Sequence, residues 1–313
     1  MKLTNLSKLL KKSRKYIFVK ESYNMRNKKS KILSLILLIY LLCFVFRGFE
    51  YFVLRTDQTF WGEAFVHKLI GIMICYAVTK MYGMNLKDIG FVKNNVLRNL
   101  LKGLGFGLAV FIAAYIVEIL ILVVQNKFAM VQIYVSAYAI DGNIGNQTTL
   151  TFFIICIIGN IINVVMEEGL FRGLFQKILE HKYSFIVSAI ISSGLFGIWH
   201  VMAPVRSYCD GMIGVNGLIA NMTMLIVTSG IIGFKFCLLA KITGSLYMSM
   251  SDHFVNNTIV NIFHIVSDTG TDELQVVRIA VAQSLSFIIV LIYYMRNYKE
   301  KIESINIALN ASS

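Results

Sequence analysis

"TFFIICIIGNIINVVMEEGLFRG", residues 151–173, decides how this chain is read. The run from Thr151 to Val165 carries no charge, and then Glu167, Glu168 and Arg172 follow within six positions. With its flanks, an apolar stretch of this length can cross a hydrocarbon core roughly 30 Å thick. Each ionisable group placed in such a span costs roughly 2.5–3.5 kcal/mol on insertion scales, so its default meaning is functional.

The rest of the chain supports a membrane reading. Of 313 residues, 57% are hydrophobic and only 15% are charged, against about 25% for a soluble domain. Mean hydropathy is +0.67 and Pro204 is the single proline, which together indicate an all-α, polytopic membrane helical bundle. Apolar windows predict about eight transmembrane helices, near 32–54, 64–82, 103–124, 149–168, 184–203, 212–234, 244–266 and 277–295. In the first of these, Arg47 and Glu50 must snorkel or face protein. The five cysteines have no CxxC spacing and point to neither a metal nor a redox compartment.

Charge is distributed unevenly. Residues 1–31 hold eleven Lys/Arg against Glu21 alone, directly before an apolar span. That placement reads as a cytoplasmic segment on anionic lipid headgroups, with no nucleic acid partner. Lys/Arg also concentrate in 80–102 and 235–243, while 267–276 holds Asp268, Asp272 and Glu273 and no base. The positive-inside rule then puts both termini in the cytoplasm, with 32–295 as one transmembrane domain and 296–313 as a tail.

Helical spacing organises three polar groups. Glu168 and Arg172 are four apart with the acid first, the order that favours an ion pair on one helix face. Glu167 lies about 100° round the helix, with Asn163 and Asn160 before it on the same stripe, so it is left to face a polar cavity as a general base. "FGIWH" ends the next span at His200, with Phe196 one turn earlier, and "DHFVNN" places His253 and Asn257 four apart. His264 has no partner at helix spacing before it and reads as a bystander near the outer interface. "ISSG" at 191–194 superficially resembles a serine-protease site of the rhomboid kind but lacks its leading glycine, and small residues in spans are commonly packing positions. No GxGD motif for an aspartyl protease occurs.

Taken together, EExxxR, FxxxH and HxxxN on separate spans resemble the CPBP family of CAAX prenyl proteases and bacteriocin-processing proteins, also called the Abi family. The resemblance runs over about residues 85–295. It implies an intramembrane endopeptidase that hydrolyses a peptide bond in a membrane-associated peptide or protein precursor. Glu167 and His200 would activate the water, His253 and Asn257 would serve the oxyanion or a metal, and Glu168, Arg172 and Phe196 would support them. Glu167, His200 and His253 would be a carboxylate and two imidazoles, a donor set known for catalytic Zn2+, although no HExxH helix is present. The Lys/Ile/Asn-rich composition suggests a bacterial cell membrane and a secreted peptide or leader as substrate ahead of a prenylated protein. The alternative is a non-catalytic self-immunity or partner-binding protein on the same scaffold. A small transporter fits least, because no duplicated halves are visible.

Overall fold

The computed structural model describes residues 29–136 and 145–311. The basic segment expected to meet lipid headgroups lies almost wholly outside them, as does part of the loop 125–148. Among the described residues ten α-helices follow one another: α1 Lys29–Phe49, α2 Val66–Met81, α3 Val96–Val124, α4 Leu150–Glu167, α5 Gln176–Glu180, α6 Phe185–Trp199, α7 Met202–Cys209, α8 Val215–Thr243, α9 Tyr247–Ile262 and α10 Gln275–Ala311. A π-helix, Glu168–Phe175, joins α4 to α5, so this helix continues well past the expected end at 168. Six helical stretches among the described residues are long and apolar enough to cross a membrane: Lys31–Gln58, Val96–Val124, Leu150–Glu180, Phe185–Cys209, Val215–Thr243 and Gln275–Tyr298.

The other two expected spans form shorter helices. α2 and α9 have 16 residues each, a length of about 24 Å at 1.5 Å per residue. The span expected over 244–266 ends as a helix at Ile262, because Phe263–Val266 pairs as an antiparallel strand, β2, with β1, Met130–Ile133. Polar contacts sort the loops into two ends. Arg55 pairs with Asp210 at 2.5 Å and Lys127 with Glu273 at 2.5 Å on loops at one end. At the other end the Leu246 N–H donates to the Gly90 carbonyl at 3.0 Å, and Lys241 lies 3.8 Å from Glu180. Outside the spans, hydrogen bonds from Lys127, Ser267 and Thr269 hold the Glu273 carboxyl down at about 2.

Lipid tails are as apolar as leucine, so packing and polar contacts bind these helices more than burial does. α3 and α9 approach most closely at Gly103, where a Cβ would overlap the Met248 carbonyl and the Ser251 hydroxyl. α1 packs Ile36, Ile39, Tyr40 and Cys43 against Phe171, Phe175 and Trp199. Arg47 and Glu50, in doubt from sequence, both face protein: Glu50 accepts from the His67 backbone at 2.6 Å, and Arg47 lies 4.6 Å from the Trp199 ring centroid.

One part of the charge reading is corrected. Lys235 belongs to no loop: it is a buried residue of α8, eight positions before the helix ends at Thr243, and it pairs with Asp252 at 2.8 Å. The apolar window that stopped at 234 had no means of seeing this partner. Further buried pairs join Arg278 to Glu118 at 2.6 Å and Lys68 to Glu63 at 2.8 Å.

Candidate active site

The glutamates sit where the helix changes its winding. Glu167 is the last α-helical residue of α4 and Glu168 the first of the π-helix, and both are buried. π segments inside α-helices occur frequently at functional sites. Here both neighbouring carboxylates find polar partners inside the protein, so neither meets lipid.

Glu168 has the ion pair its spacing suggested, with Arg172 Nη1 3.1 Å from Oε1. The arginine's Cζ lies 3.8 Å from the Phe196 ring centroid, which gives Phe196 a place in the site as a cation–π platform. Glu168 also does more than the sequence implied. His253 Nδ1 donates to its Oε1 at 2.9 Å, which orients the imidazole from behind. The opposite nitrogen, Nε2, then lies 3.6 Å from Glu167 Oε2. His253 therefore bridges the two acids, and Phe236 stacks on its ring with centroids 4.8 Å apart.

Glu167 is held on both oxygens. Asn163 Nδ2 donates to Oε2 at 3.1 Å, as the shared stripe on α4 suggested. Trp199 Nε1 donates to Oε1 at 3.1 Å, across the hairpin between α5 and α6. Asn160, expected on the same stripe, turns to α9 instead, where Nδ2 approaches Thr258 Oγ1 at 3.3 Å and Asn261 Oδ1 at 3.4 Å.

His200 follows the last residue of α6. Its Nδ1 donates to the Phe196 carbonyl at 2.8 Å, and its ring meets the Phe196 ring edge-on with centroids 4.7 Å apart. A carbonyl oxygen can only accept, so Nδ1 carries the proton and, in the neutral ring, Nε2 is the acceptor. Glu167 lies within electrostatic reach of both His200 and His253. Asn257 follows His253 by one turn of α9, and its Oδ1 accepts from Asn256 Nδ2 at 3.1 Å.

The remaining sequence candidates fall away from this cluster. His264 is in β2, stacked on Tyr134 at 4.0 Å and bonded to Asp272 at 3.1 Å. Ser193, the serine that "ISSG" offers as a nucleophile, is buried with its Oγ 3.8 Å from Cys237 Sγ of α8, a packing contact between helices. Among the described residues no three His, Cys, Asp or Glu side chains gather at the spacing a metal ion needs. Of the donor set proposed for Zn2+, Glu167 Oε2 and His253 Nε2 lie 3.6 Å apart, and the Nδ1 contact of His253 with Glu168 is one that a metal-bound imidazole also makes, but among the described residues no third donor joins the two at metal spacing. An apolar cavity of about 390 Å³ adjoins Gly169, one residue from Glu168, between α2 and the loop at Phe91.

Trp199 is the residue that sequence reasoning missed. A tryptophan deep in a span needs a partner for its indole N–H, and this one lies beside His200 in "FGIWH". Following Phe196 to His200 along one face passes over it.

Comparison with known proteins adds one finding. A family model described as type II CAAX prenyl endopeptidase Rce1-like matches residues 149–259. No curated protein matches the chain. The matched segment is narrower than the 85–295 expected, yet it contains Glu167, Glu168, Arg172, Phe196, His200, His253 and Asn257. The CPBP resemblance read from three motifs is therefore borne out: this is a polytopic helical membrane protein that is similar, over the segment holding its buried polar cluster, to the Rce1-like type II CAAX prenyl endopeptidases.

Proposed function

We propose that the chain is an intramembrane endopeptidase that hydrolyses a peptide bond in a membrane-associated peptide or protein precursor, with Glu167 and His200 activating water. The observation that carries this reading is the convergence of Glu167 and His253 at 3.6 Å, with Asn163 and Trp199 bonded to the first and Glu168 to the second. Neither Asn163 nor Trp199 can take up a proton on the nitrogen it offers, so they fix the carboxylate without competing for its base function.

In the proposed step, the water oxygen attacks the scissile carbonyl carbon as its proton passes to Glu167 or to His200 Nε2. The carbonyl oxygen becomes an oxyanion that accepts from Asn257 Nδ2 and from a proton-bearing His253. Collapse of this intermediate breaks the C–N bond, and the proton returns to the leaving amine. With His253 protonated, Glu167, Glu168, Arg172 and His253 form a neutral quartet, which lets four ionisable groups share a dry site. No step runs through a metal.

The test compares cleavage of candidate peptide precursors by purified wild type and Glu167→Gln in lipid nanodiscs. The isosteric amide keeps the Trp199 contact but has no base, and a loss of about 10²–10⁴-fold in kcat is expected. No cleavage by either protein above a protein-free control would remove the enzyme reading and leave a partner-binding membrane protein, and equal cleavage by both would remove Glu167 as the base.

A further inference from the structure

An oxyanion role for Asn257 requires its amide to offer nitrogen, not oxygen, to the substrate. The contacts behind it decide which. Buried Lys235 of α8 is ion-paired with Asp252 at 2.8 Å, and its ammonium donates to Ser286 Oγ at 2.9 Å and to Gln283 Oε1 at 3.1 Å. An ammonium has no lone pair, so the Gln283 atom facing it must be the oxygen. The nitrogen of that amide therefore points away, and Gln283 Nε2 donates to Asn256 Oδ1 at 2.6 Å. Asn256 is in turn fixed with its nitrogen outward, and Nδ2 donates to Asn257 Oδ1 at 3.1 Å. Each amide sets the orientation of the next.

We propose that Lys235, Gln283 and Asn256 form a hydrogen-bond relay that locks the Asn257 side chain with Nδ2 as the donor left for the substrate carbonyl oxygen. The three are positioning residues, and the inference rests on the peptidase reading above. Two of them lie in the family-matched segment, but Gln283 belongs to α10, outside it. The direction of the relay matters more than its strength. A reversed amide would turn an oxygen lone pair toward a developing negative charge, so one wrong link converts stabilisation into repulsion.

The experiment reverses the relay without changing its shape. Gln283→Glu still accepts from Lys235 but offers Asn256 no donor, so Asn256 must turn its nitrogen back and present oxygen to Asn257. The expected result is a fall in kcat of about 10²–10³-fold, the size found for losing an oxyanion donor, with KM unchanged. Asn256→Asp, which reverses the same relay one link later, reads the same quantity if Gln283→Glu does not fold. Combining Gln283→Glu with Asn257→Ala separates orientation from general damage: a relay acting through Asn257 predicts no further loss in that background. Wild-type kcat in both reversing variants, or an equal further loss on the Asn257→Ala background, would overturn the relay. Failure of the peptidase reading has its own signature, no cleavage by the wild type itself.

Discussion

At Trp199 a single N–H ties the candidate base to a second helix, and the same ring packs against Tyr40, Phe44 and Phe171 with centroids 6.2, 6.1 and 5.9 Å away. These two roles are separable. Trp199→Phe keeps much of the aromatic packing and removes only the donor to Glu167 Oε1. A hydrogen bond to a charged group is worth about 1.5–3 kcal/mol, so kcat should fall by roughly ten- to a hundredfold if the contact orients the base. Steady-state kinetics alongside melting in detergent would check this; a protein that melts like wild type and cleaves at the wild-type rate would show that Glu167 needs no help from the indole. Residues whose partners lie four positions away, such as Arg172 beside Glu168, were legible in the sequence. Trp199 and Glu167 meet only through a hairpin, and no spacing rule reaches across one.

Elements carry constraints that single residues hide. A spacing of four between Glu168 and Arg172 suits an α-helix, and the pair forms, yet the segment is a π-helix. Composition holds no mark of that winding, and its consequence, two adjacent acids both buried, was legible only as a question about where the second acid would go. The contact of α3 with α9 makes a sharper prediction. α9 is the short polar helix that supplies His253 and Asn257, so its seat on α3 fixes the depth of both. Gly103→Ala would place a methyl group against the Met248 carbonyl and Ser251, and backbone cannot move aside as a flexible side chain can. Overpacking of this kind costs about 1–3 kcal/mol, and a lower melting temperature with reduced activity is expected. Gly105→Ala, on the same helix with nothing within 4 Å of the added carbon, should be neutral or gain up to about 1 kcal/mol from helix propensity. Equal effects from the two substitutions would show that helix propensity, not contact with α9, governs both.

For the whole molecule, hydropathy windows found the long apolar rods but not what lies buried between them. The pairs Glu118–Arg278 and Lys235–Asp252 are invisible to a window because each member sits in a different helix, and in Lys68–Glu63 the acid lies in the loop before α2. A lone charge reads as a loop boundary until its partner is located, which is how Lys235 was misplaced. The orientation of the chain is a separate matter, and one cysteine can measure it. Cys209 is exposed at the end of α7, whereas Cys43, Cys75, Cys156 and Cys237 are buried. If the amino terminus is cytoplasmic and α1, α2, α3, α4 and α6 each cross once, five crossings put Cys209 on the outer surface. The loop contact between Arg55 and Asp210 places residues 55–65 on that same surface, one crossing in from the start. A membrane-impermeant maleimide added to intact cells should therefore label the wild type at this position, and Cys209→Ser should abolish the signal. Labelling that appears only after the membrane is opened would mean either that the chain is inverted or that the 16-residue α2 fails to cross. A reporter cysteine at exposed Thr59, in the loop before α2, separates these outcomes, because it reacts on intact cells if only α2 fails and is protected if the chain is inverted. A further reporter at Ser184, in the turn between α5 and α6, tests α6 itself. The Ser184 reporter should be protected when Cys209 is reactive, and α6 runs between the two positions, so the pair must respond oppositely in either orientation. If both react from the same side, α6 does not cross, and the hairpin that brings Trp199 to Glu167 would have to be re-entrant.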